Sequence, residues 1–285
     1  MTDSVPAIVS AEWLVAHIGT PGAVVVDATV HLPDTGRDAA AEFGAGHIPG
    51  ARFLDLSRVA NPDNPLPRKV PGPELFAREV GALGIGNDTH VIAYDTPGLY
   101  SAARVWWLFR LYGHDRVSVL DGGLVAWKAA GGALQSGDSA APAAKTFVPA
   151  ARRDRLALWP EVLAASNAGA QILDARTKGR FSGTEEDRYP GTRNGHIPGS
   201  RNLYWGDLLD KESRRLLPAA DIESRIRAAG IDPEAPVTLT CGSGLTACIL
   251  ALGLHLSGHQ DWRVYDGSWD EWGRRQDLPV ESSQG

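Results

Sequence analysis

Cys241 is the residue whose type and position most clearly indicate chemistry. It follows the β-forming run 237–240 and opens a Gly-Ser-Gly turn, which leads into an apolar stretch, 245–256, with the pattern of a helix. A cysteine between a strand end and a helix start lies among unpaired backbone N–H groups and near the positive end of the helix dipole. This setting favours the thiolate, which is the nucleophilic form of cysteine.

Cys248 is the second of only two cysteines in the chain of 285 residues. Residues seven apart on one helix are about two turns apart, so the two thiols are predicted to be too distant for a disulfide. Cys248 has apolar neighbours and is predicted to be a core residue. Two unpaired thiols are typical of a reducing compartment, which indicates a cytoplasmic protein with a free reactive cysteine.

Three sequence markers recur in the same order, so the chain is interpreted as a tandem repeat. One of them is Gly-His-Ile-Pro-Gly, which occupies residues 46–50 and again 195–199. The offsets between equivalent residues are nearly equal: 149 from Gly46 to Gly195, 147 from Asp27 to Asp174, and 145 from Asp121 to Asp266. So small a drift indicates duplication of a whole domain rather than the chance return of one motif.

Within each half, short β-branched runs alternate with helical patterns. Strands are predicted at 23–26, 91–94, 117–120, 171–173, 237–240 and 263–265, and the clearest helices at 100–111 and 245–256. Strands that alternate with helices favour a parallel sheet covered on both faces. The predicted fold is α/β, with two tandem domains at 1–134 and 156–285. The Ala-, Ser-, Gly- and Pro-rich segment 135–155 between them is predicted to be a linker.

The repeat places Asp95 where the second half has Cys241. An offset of 146 aligns the run 91–95 with the run 237–241. A carboxylate cannot act as a soft sulfur nucleophile, so the first half is predicted to be a catalytically inactive copy. The chemistry is therefore assigned to the C-terminal domain.

Taken together, these features resemble the rhodanese superfamily of sulfurtransferases. The resemblance rests on the tandem α/β repeat, the Gly-His-Ile-Pro-Gly sequence after the first strand, and a six-residue loop that begins with cysteine only in the second repeat. It covers the chain from about Ser10 to Arg275. The resemblance implies that Cys241 takes a sulfur atom from a small donor as a persulfide and passes it to an acceptor.

The loop sequence favours one donor within that family. Cys-Gly-Ser-Gly-Leu-Thr at 241–246 is similar to the Cys-Gly-Ser-Gly-Val-Thr loop of 3-mercaptopyruvate sulfurtransferases, whereas thiosulfate sulfurtransferases usually carry an Arg-Lys pair in place of Gly242 and Ser243. Thiosulfate is a compact dianion that gains from cations at the loop rim. Mercaptopyruvate carries its charge several atoms from the reacting sulfur, so it fits a neutral rim with a basic group farther away. The loop residues expected to bind substrate are Gly242, Gly244, Leu245 and Thr246.

The basic side chains that bind the charged end of the substrate are expected in the segment 174–188. In the resembling family, the arginine of a Gly-Arg-Phe triplet and a second arginine some nine residues later hold the substrate carboxylate and ketone, and they map onto Arg180 and Arg188. The second match requires a one-residue gap, so Arg193 is the alternative. His47 is a further candidate for contact with substrate, although histidines of the Gly-His-Ile-Pro-Gly loop usually fix that loop by hydrogen bonds.

The expected reaction begins with attack of the Cys241 thiolate on the sulfur of 3-mercaptopyruvate, which leaves a persulfide and the enolate of pyruvate. Loop N–H groups would hold the thiolate and then the outer sulfur, and the resemblance implies that Ser243 relays a proton. A thiol acceptor such as thioredoxin, or cyanide in vitro, would then remove the sulfur. No metal or other cofactor is expected, because the eight histidines show no paired ligand spacing.

Composition argues against several other kinds of partner. The net charge of −6 disfavours nucleic acid or an anionic membrane surface as the main partner. No apolar run approaches the roughly 20 residues that span a bilayer. Residues 1–6 have neither the basic nor the apolar region of a signal peptide, which agrees with the expected cytoplasmic location.

The sequence leaves three alternative functions open. Thiosulfate sulfurtransferase is the nearest, since it applies the same chemistry to another donor. A Cys-x5-Arg phosphatase would need an arginine six residues after the cysteine, where this chain has Ala247. A non-catalytic sulfur carrier would form the persulfide without multiple turnover, and the intact loop with its two arginines favours an enzyme over it.

Overall fold

The computed structural model describes residues 5–32, 35–137, 139 and 142–282. The chain divides into two compact units. The first comprises Met1–Arg152 with Lys211–Arg215, and the second comprises Arg153–Asp210 with Leu216–Gly285. These boundaries differ from the predicted ones, because most of the expected linker and a short segment of the second repeat belong to the first unit.

Part of the expected linker, within residues 145–152, packs on the first unit. The backbone N–H of Arg152 donates to Leu111 O at 2.7 Å. Phe147 is buried, and its ring meets that of Phe76 edge to face at a centroid distance of 5.6 Å. One apolar side chain thus anchors a stretch whose composition alone predicts a linker.

The first unit contains a five-stranded parallel sheet with the strand order β1-β5-β4-β2-β3. Its strands are β1 (Ile8–Val9), β2 (Ala23–Asp27), β3 (Arg52–Phe53), β4 (His90–Tyr94) and β5 (Val117–Leu120). Its helices are α1 (Ala11–His17), α2 (Ala39–Ala45), α3 (Pro73–Ala82), α4 (Ala102–Leu111) and α5 (Gly123–Ala129). The order puts β4 at the centre of the sheet.

The second unit repeats this arrangement, with the strand order β6-β10-β9-β7-β8 in a parallel sheet. Its strands are β6 (Leu156–Ala157), β7 (Gln171–Asp174), β8 (Arg201–Asn202), β9 (Val237–Thr240) and β10 (Trp262–Tyr265). Its helices are α6 (Trp159–Asn167), α7 (Lys178–Ser182), α8 (Ala219–Ala228), α9 (Ala247–Leu256) and α10 (Ser268–Trp272). The identical order confirms that the sequence repeat is a repeat of the whole fold.

The central strands and the helices that follow them form the core of each unit. Every residue of β9 is buried, as are all residues of α9 from Ala247 to Leu254. A helix that is apolar on all sides belongs in a core. The six predicted strands and two predicted helices are confirmed to within two residues at either end. Within the described ranges, no helix is both long enough and apolar enough to cross a membrane.

The Gly-His-Ile-Pro-Gly sequences form equivalent loops held by their histidines. The ring of His47 stacks on Phe43 at a centroid distance of 3.9 Å, and its Nδ1 lies 2.8 Å from Phe43 O. Its Nε2 lies 3.2 Å from Ser139 Oγ. His196 repeats both contacts with Phe181, at 3.9 Å and 2.8 Å. Both ring nitrogens of His47 therefore have partners within its own unit, and its contact with substrate stays a prediction.

The side chain of Asp95 closes the loop between β4 and α4. Its Oδ1 accepts a hydrogen bond from Gly98 N at 3.0 Å. Its Oδ2 accepts three more, from the backbone N–H groups of Tyr100, Ser101 and Ala102 at 2.7–2.8 Å. The carboxylate is fully buried, and the unpaired N–H groups at a helix start stabilise such an anion. The first repeat thus retains an anion site and fills it with its own side chain.

Replacing this built-in anion should destabilise the first unit. In Asp95→Asn, the amide nitrogen cannot accept a hydrogen bond, so several buried N–H groups lose a charged acceptor. We expect the free energy of unfolding, measured by urea denaturation, to fall by about 2–3 kcal/mol. Asp63→Asn is the matched control because Asp63 is exposed. Equal stability of the two variants would show that the loop does not depend on the carboxylate.

Candidate functional site

Cys241 lies directly after β9, at the carboxyl end of the central strand of its sheet. It is 1% exposed, and its Sγ accepts a hydrogen bond from Gly244 N at 3.1 Å. The first unit contains the counterpart of this contact, since Gly98 N donates to Asp95 Oδ1 at 3.0 Å. The sulfur atom therefore occupies the place that a carboxylate oxygen has in the other repeat.

The backbone of the Cys241 loop is held by the start of α10. The N–H of Trp269 donates to Cys241 O at 3.0 Å, and the N–H of Asp270 donates to Gly242 O at 2.8 Å. The Cys241 N–H donates to Ser268 Oγ at 3.1 Å, and that hydroxyl oxygen lies 3.9 Å from Cys241 Sγ. The first turn of α10 therefore fixes the carbonyl groups of two consecutive residues, Cys241 and Gly242.

Ser268 has a backbone conformation that disfavours a side chain. Its φ is 52°, equal to that of Gly123 at the corresponding place in the first unit. A non-glycine residue in this region costs on the order of 1–2 kcal/mol. Ser268 is fully buried, and its hydroxyl donates to Tyr265 O at 2.8 Å while it accepts from Cys241. Such backbone strain is retained where the residue has a structural or functional role. Here the hydroxyl of Ser268 accepts a hydrogen bond from the Cys241 N–H and holds that peptide group.

The other expected loop residues are buried together with the thiol. Ser243, Leu245 and Thr246 are each less than a tenth exposed, and Thr246 is the N-cap of α9. Cys248 is fully buried within α9, and its Sγ donates to Gly244 O at 3.3 Å. The prediction of a core cysteine is confirmed, and both cysteines are free thiols.

Arg180, on α7, lies beside the Cys241 loop. Its Nη2 is 2.9 Å from the point where a side-chain carbon would stand at Gly242. Asp187 holds the guanidinium, with Nη2 donating to Oδ1 at 2.6 Å and Nε donating to Oδ2 at 3.2 Å. Burial lowers the pKa of Arg180, but the hydrogen bonds and charge of Asp187 outweigh burial and leave this pKa raised. A positive charge is thus fixed next to the loop.

Asp187 is shared with a second, fully buried arginine. Arg176 donates from Nη1 to Asp187 Oδ2 at 2.9 Å and from Nη2 to Asp174 Oδ2 at 2.7 Å. Its guanidinium also lies over the Trp269 ring, 4.4 Å from the centroid. Two arginines and two aspartates form one network whose charges balance. This network holds Asp187 in place as the support of Arg180.

Tyr189 also lies beside the Cys241 loop, although it is not among the residues predicted from the sequence. Its Cε2 and Oη lie 2.5 Å and 2.8 Å from the point where a side-chain carbon would stand at Gly242. The guanidinium of Arg180 lies over its ring at 5.7 Å from the centroid. Burial and the charge of Cys241 raise the pKa of Tyr189, and the nearby Ser243 hydroxyl partly lowers it. Because of this close packing, a side chain at position 242 would require Tyr189 and Arg180 to shift.

The two candidates for a second substrate arginine have different surroundings. Arg188 is exposed, and its side chain makes no hydrogen bond or ion pair within the described ranges, so its role stays a prediction. Arg193 is committed to the fold, because its guanidinium donates to four backbone carbonyls, those of Gly273, Leu278, Trp272 and Arg275. This geometry argues against Arg193 as a substrate residue. A count of nine residues from Arg180 without a gap reaches Tyr189, which is the sequence signal that could have identified it.

The arrangement suits a sulfur nucleophile and a substrate whose charge lies to one side of the reacting atom. A backbone N–H faces the sulfur of Cys241. A guanidinium and a phenol converge beside Gly242, the next residue. In the part of the chain that the structure describes, no three His, Cys, Asp or Glu side chains are grouped as a metal site would group them.

Comparison with known proteins identifies the domain and its relatives. The Rhodanese-like domain matches residues 10–130 and again residues 159–275. The chain is similar to human 3-mercaptopyruvate sulfurtransferase, with 40% identity over 93% of this chain and 91% of that protein. It is also similar to thiosulfate/3-mercaptopyruvate sulfurtransferase 1, mitochondrial, of Arabidopsis thaliana, with 40% identity over 96% of this chain and 78% of that protein. The crystal structure of a 3-mercaptopyruvate sulfotransferase from Escherichia coli matches with a TM-score of 0.84 and 34% identity, over 93% of this chain and 99% of that chain.

Two substitutions at Ser268 should separate its hydrogen bond from its backbone strain. Ser268→Ala leaves the buried N–H of Cys241 without its acceptor, so the free energy of unfolding should fall by about 2 kcal/mol. Ser268→Gly loses the same hydrogen bond but relieves the positive φ, so it should recover about 1 kcal/mol of that loss. Urea denaturation of both variants measures the difference. If the glycine variant were no more stable than the alanine variant, Ser268 would not be strained.

Proposed function

Because this chain belongs to the rhodanese family and contains its domain twice, we propose that it is a 3-mercaptopyruvate sulfurtransferase with Cys241 as the nucleophile. The hydrogen bond from Gly244 N to Cys241 Sγ carries this proposal. It aims a backbone donor at the sulfur in the way that the other repeat aims one at a carboxylate. The loop is thus suited to a negatively charged sulfur.

The first step transfers one sulfur atom to Cys241. The thiolate attacks the donor sulfur and forms an S–S bond, while the bond between that sulfur and C3 of mercaptopyruvate breaks. The electron pair of the broken bond becomes the C2–C3 double bond of the pyruvate enolate, with negative charge on the ketone oxygen. C3 then takes a proton, and the thiol group of mercaptopyruvate loses one in the same reaction. The products are pyruvate and a deprotonated persulfide, so no oxidant or reductant is needed.

The hydrogen bonds of Asp95 in the first unit support a position for the outer sulfur of the Cys241 persulfide. The Cys241 sulfur corresponds to Asp95 Oδ1, so the second persulfide sulfur corresponds to Oδ2. That oxygen accepts from the N–H groups of Tyr100 and Ser101, among others. Their equivalents at the offset of 146 are the N–H groups of Thr246 and Ala247, at the start of α9. We assign these groups to the persulfide.

Arg180 is the residue that we assign to the substrate carboxylate. It lies beside Gly242, one residue along the chain from Cys241, and Asp187 fixes the direction of its guanidinium. The planar guanidinium matches a carboxylate better than a point charge does. We assign the relay of a proton to Ser243, which is buried in the loop and lies near the phenol of Tyr189.

Thiosulfate is a less favoured donor at this rim. Two cations next to the sulfur would suit its compact dianion, but a side chain at Gly242 would have to displace Tyr189 and Arg180. A donor that carries its charge farther from the reacting sulfur fits better. A phosphatase is disfavoured by Ala247, which stands where the phosphate-binding arginine would be.

We propose a thiol as the sulfur acceptor, in the cell a protein dithiol such as thioredoxin. Cyanide would serve in vitro. A cytoplasmic location is proposed from the two free cysteines.

Cys241→Ser should abolish pyruvate release from 3-mercaptopyruvate, because a serine hydroxyl is not ionised and cannot form a persulfide. Pyruvate is measured with a coupled dehydrogenase, and the persulfide by mass spectrometry of the intact protein. Cys248→Ser is the matched control, since it removes the other thiol and keeps a donor for the Gly244 carbonyl. It should retain turnover. Substantial turnover by Cys241→Ser would overturn the assignment of the nucleophile.

Arg180→Ala should raise KM for 3-mercaptopyruvate roughly 10- to 100-fold, as expected for loss of charge-assisted hydrogen bonds to the carboxylate. Asp187 keeps its ion pair with Arg176, so the fold should survive. Lys178→Ala is the control for a general loss of positive charge, because Lys178 is exposed two residues away. If both variants raised KM equally, Arg180 would have no specific role.

A further inference from the structure

We propose that Tyr189 is a further catalytic residue, whose phenol donates a hydrogen bond to the ketone oxygen of the sulfur donor as that oxygen becomes an enolate. This inference rests on the proposed function, because charge develops on such an oxygen only when the donor is an α-keto thiol. In this proposal, the phenol of Tyr189 makes the contact with the ketone that a second arginine makes in the 3-mercaptopyruvate sulfurtransferases described above.

The position of the phenol is the first reason. Its oxygen lies 2.8 Å from the point where a side-chain carbon would stand at Gly242, and the Ser243 hydroxyl is near enough to affect its pKa. The phenol thus lies beside the two residues that directly follow Cys241. Its ring packs on the loop backbone, so the hydroxyl group has little freedom to move away.

The second reason is the pairing of this phenol with Arg180. The point where a side-chain carbon would stand at Gly242 lies 2.9 Å from Nη2 of Arg180 and 2.8 Å from the oxygen of Tyr189. The guanidinium and the phenol are therefore close to each other. The carboxylate and ketone of an α-keto acid are bonded to each other, so their oxygens are similarly close. A guanidinium for the carboxylate and a phenol for the ketone therefore match the two ends of one donor.

The reaction itself requires a donor at this oxygen. When the bond between sulfur and C3 breaks, negative charge moves onto the ketone oxygen, and a fixed hydrogen-bond donor there lowers the barrier. The phenol keeps its proton throughout, and C3 takes the proton of the donor thiol. Burial and the charge of Cys241 raise the pKa of Tyr189, so the phenol is a stable donor at neutral pH.

The neighbouring charges also favour a neutral donor over a second arginine. Arg180 already shares Asp187 with Arg176, which closes a balanced network of two cations and two anions. Before the donor binds, a further cation in this space would have no counter-charge within the network, which is unfavourable in a buried setting. Arg188, the alternative from the sequence, instead directs its side chain to solvent.

Tyr189→Phe tests this role, because it keeps the ring against Gly242 and removes only the hydroxyl. In single-turnover experiments with 3-mercaptopyruvate, pyruvate formation should slow on the order of 10²-fold, as is typical for loss of one oxyanion donor. KM should change far less, since Arg180 still binds the carboxylate. Removal of sulfur from the preloaded persulfide by cyanide involves no ketone, so its rate should equal that of the wild type.

Tyr204→Phe is the matched control, because Tyr204 belongs to the same unit and its ring packs over Gly206. It should leave pyruvate formation unchanged. A Tyr189→Phe variant as fast as the wild type would overturn the inference. An equal slowing of the cyanide step would also overturn it, since the hydroxyl would then act only on loop structure. A wild-type protein that releases no pyruvate would instead overturn the proposed function, and this inference with it.

Discussion

The backbone N–H groups of Gly98 and Gly244, each of which donates to one buried negative or electron-rich side-chain atom, make the interaction on which this site depends. They lie at the carboxyl end of the central strand, where the chain turns into an apolar helix. In the first unit the negative atom belongs to Asp95, and in the second its place is taken by the sulfur of Cys241. The parallel sheet fixes the strand, and the buried helix fixes the N–H groups. The geometry of the loop therefore follows from the core beneath it.

The two repeats show which further changes accompany a reactive sulfur. The backbone N–H of Thr29 donates to Asp27 at 2.9 Å, and that of Arg176 makes the same bond to Asp174 at 2.9 Å. The turn is thus retained, but the second repeat adds a guanidinium at this position. In the same way, a glycine in the first repeat becomes Ser268 in the second, with φ unchanged. At these two positions the side chains of the second unit thus supply a charge and a hydrogen bond to the Cys241 peptide, respectively.

Much of this could be predicted from the sequence, because repetition and strand periodicity are strong local signals. The six principal strands, the parallel topology and the place of Cys241 follow from them. The two-residue strands β1, β3, β6 and β8 could not be predicted, since a run so short has no periodicity. The packing of Phe147 could not be predicted, since the segment around it is rich in Ala, Ser, Gly and Pro and has no apolar periodicity.

The site residues were less predictable, because they depend on how side chains meet across loops. Arg193 and Arg188 look alike in the sequence, yet one is saturated by carbonyls and the other is exposed. Tyr189 could not be recognised from its type, since nothing in a tyrosine indicates contact with a glycine more than fifty residues later. Only the unbroken spacing from Arg180 pointed to it.

The close contact at Gly242 also limits how such an enzyme could evolve toward a different sulfur donor. A cationic rim would need a long side chain at this position, but any carbon added there meets the ring of Tyr189 at 2.5 Å. A longer side chain there therefore requires the ends of Tyr189 and Arg180 to shift away from the loop. A change of rim charge at Gly242 would thus also displace the phenol and the guanidinium that lie beside it.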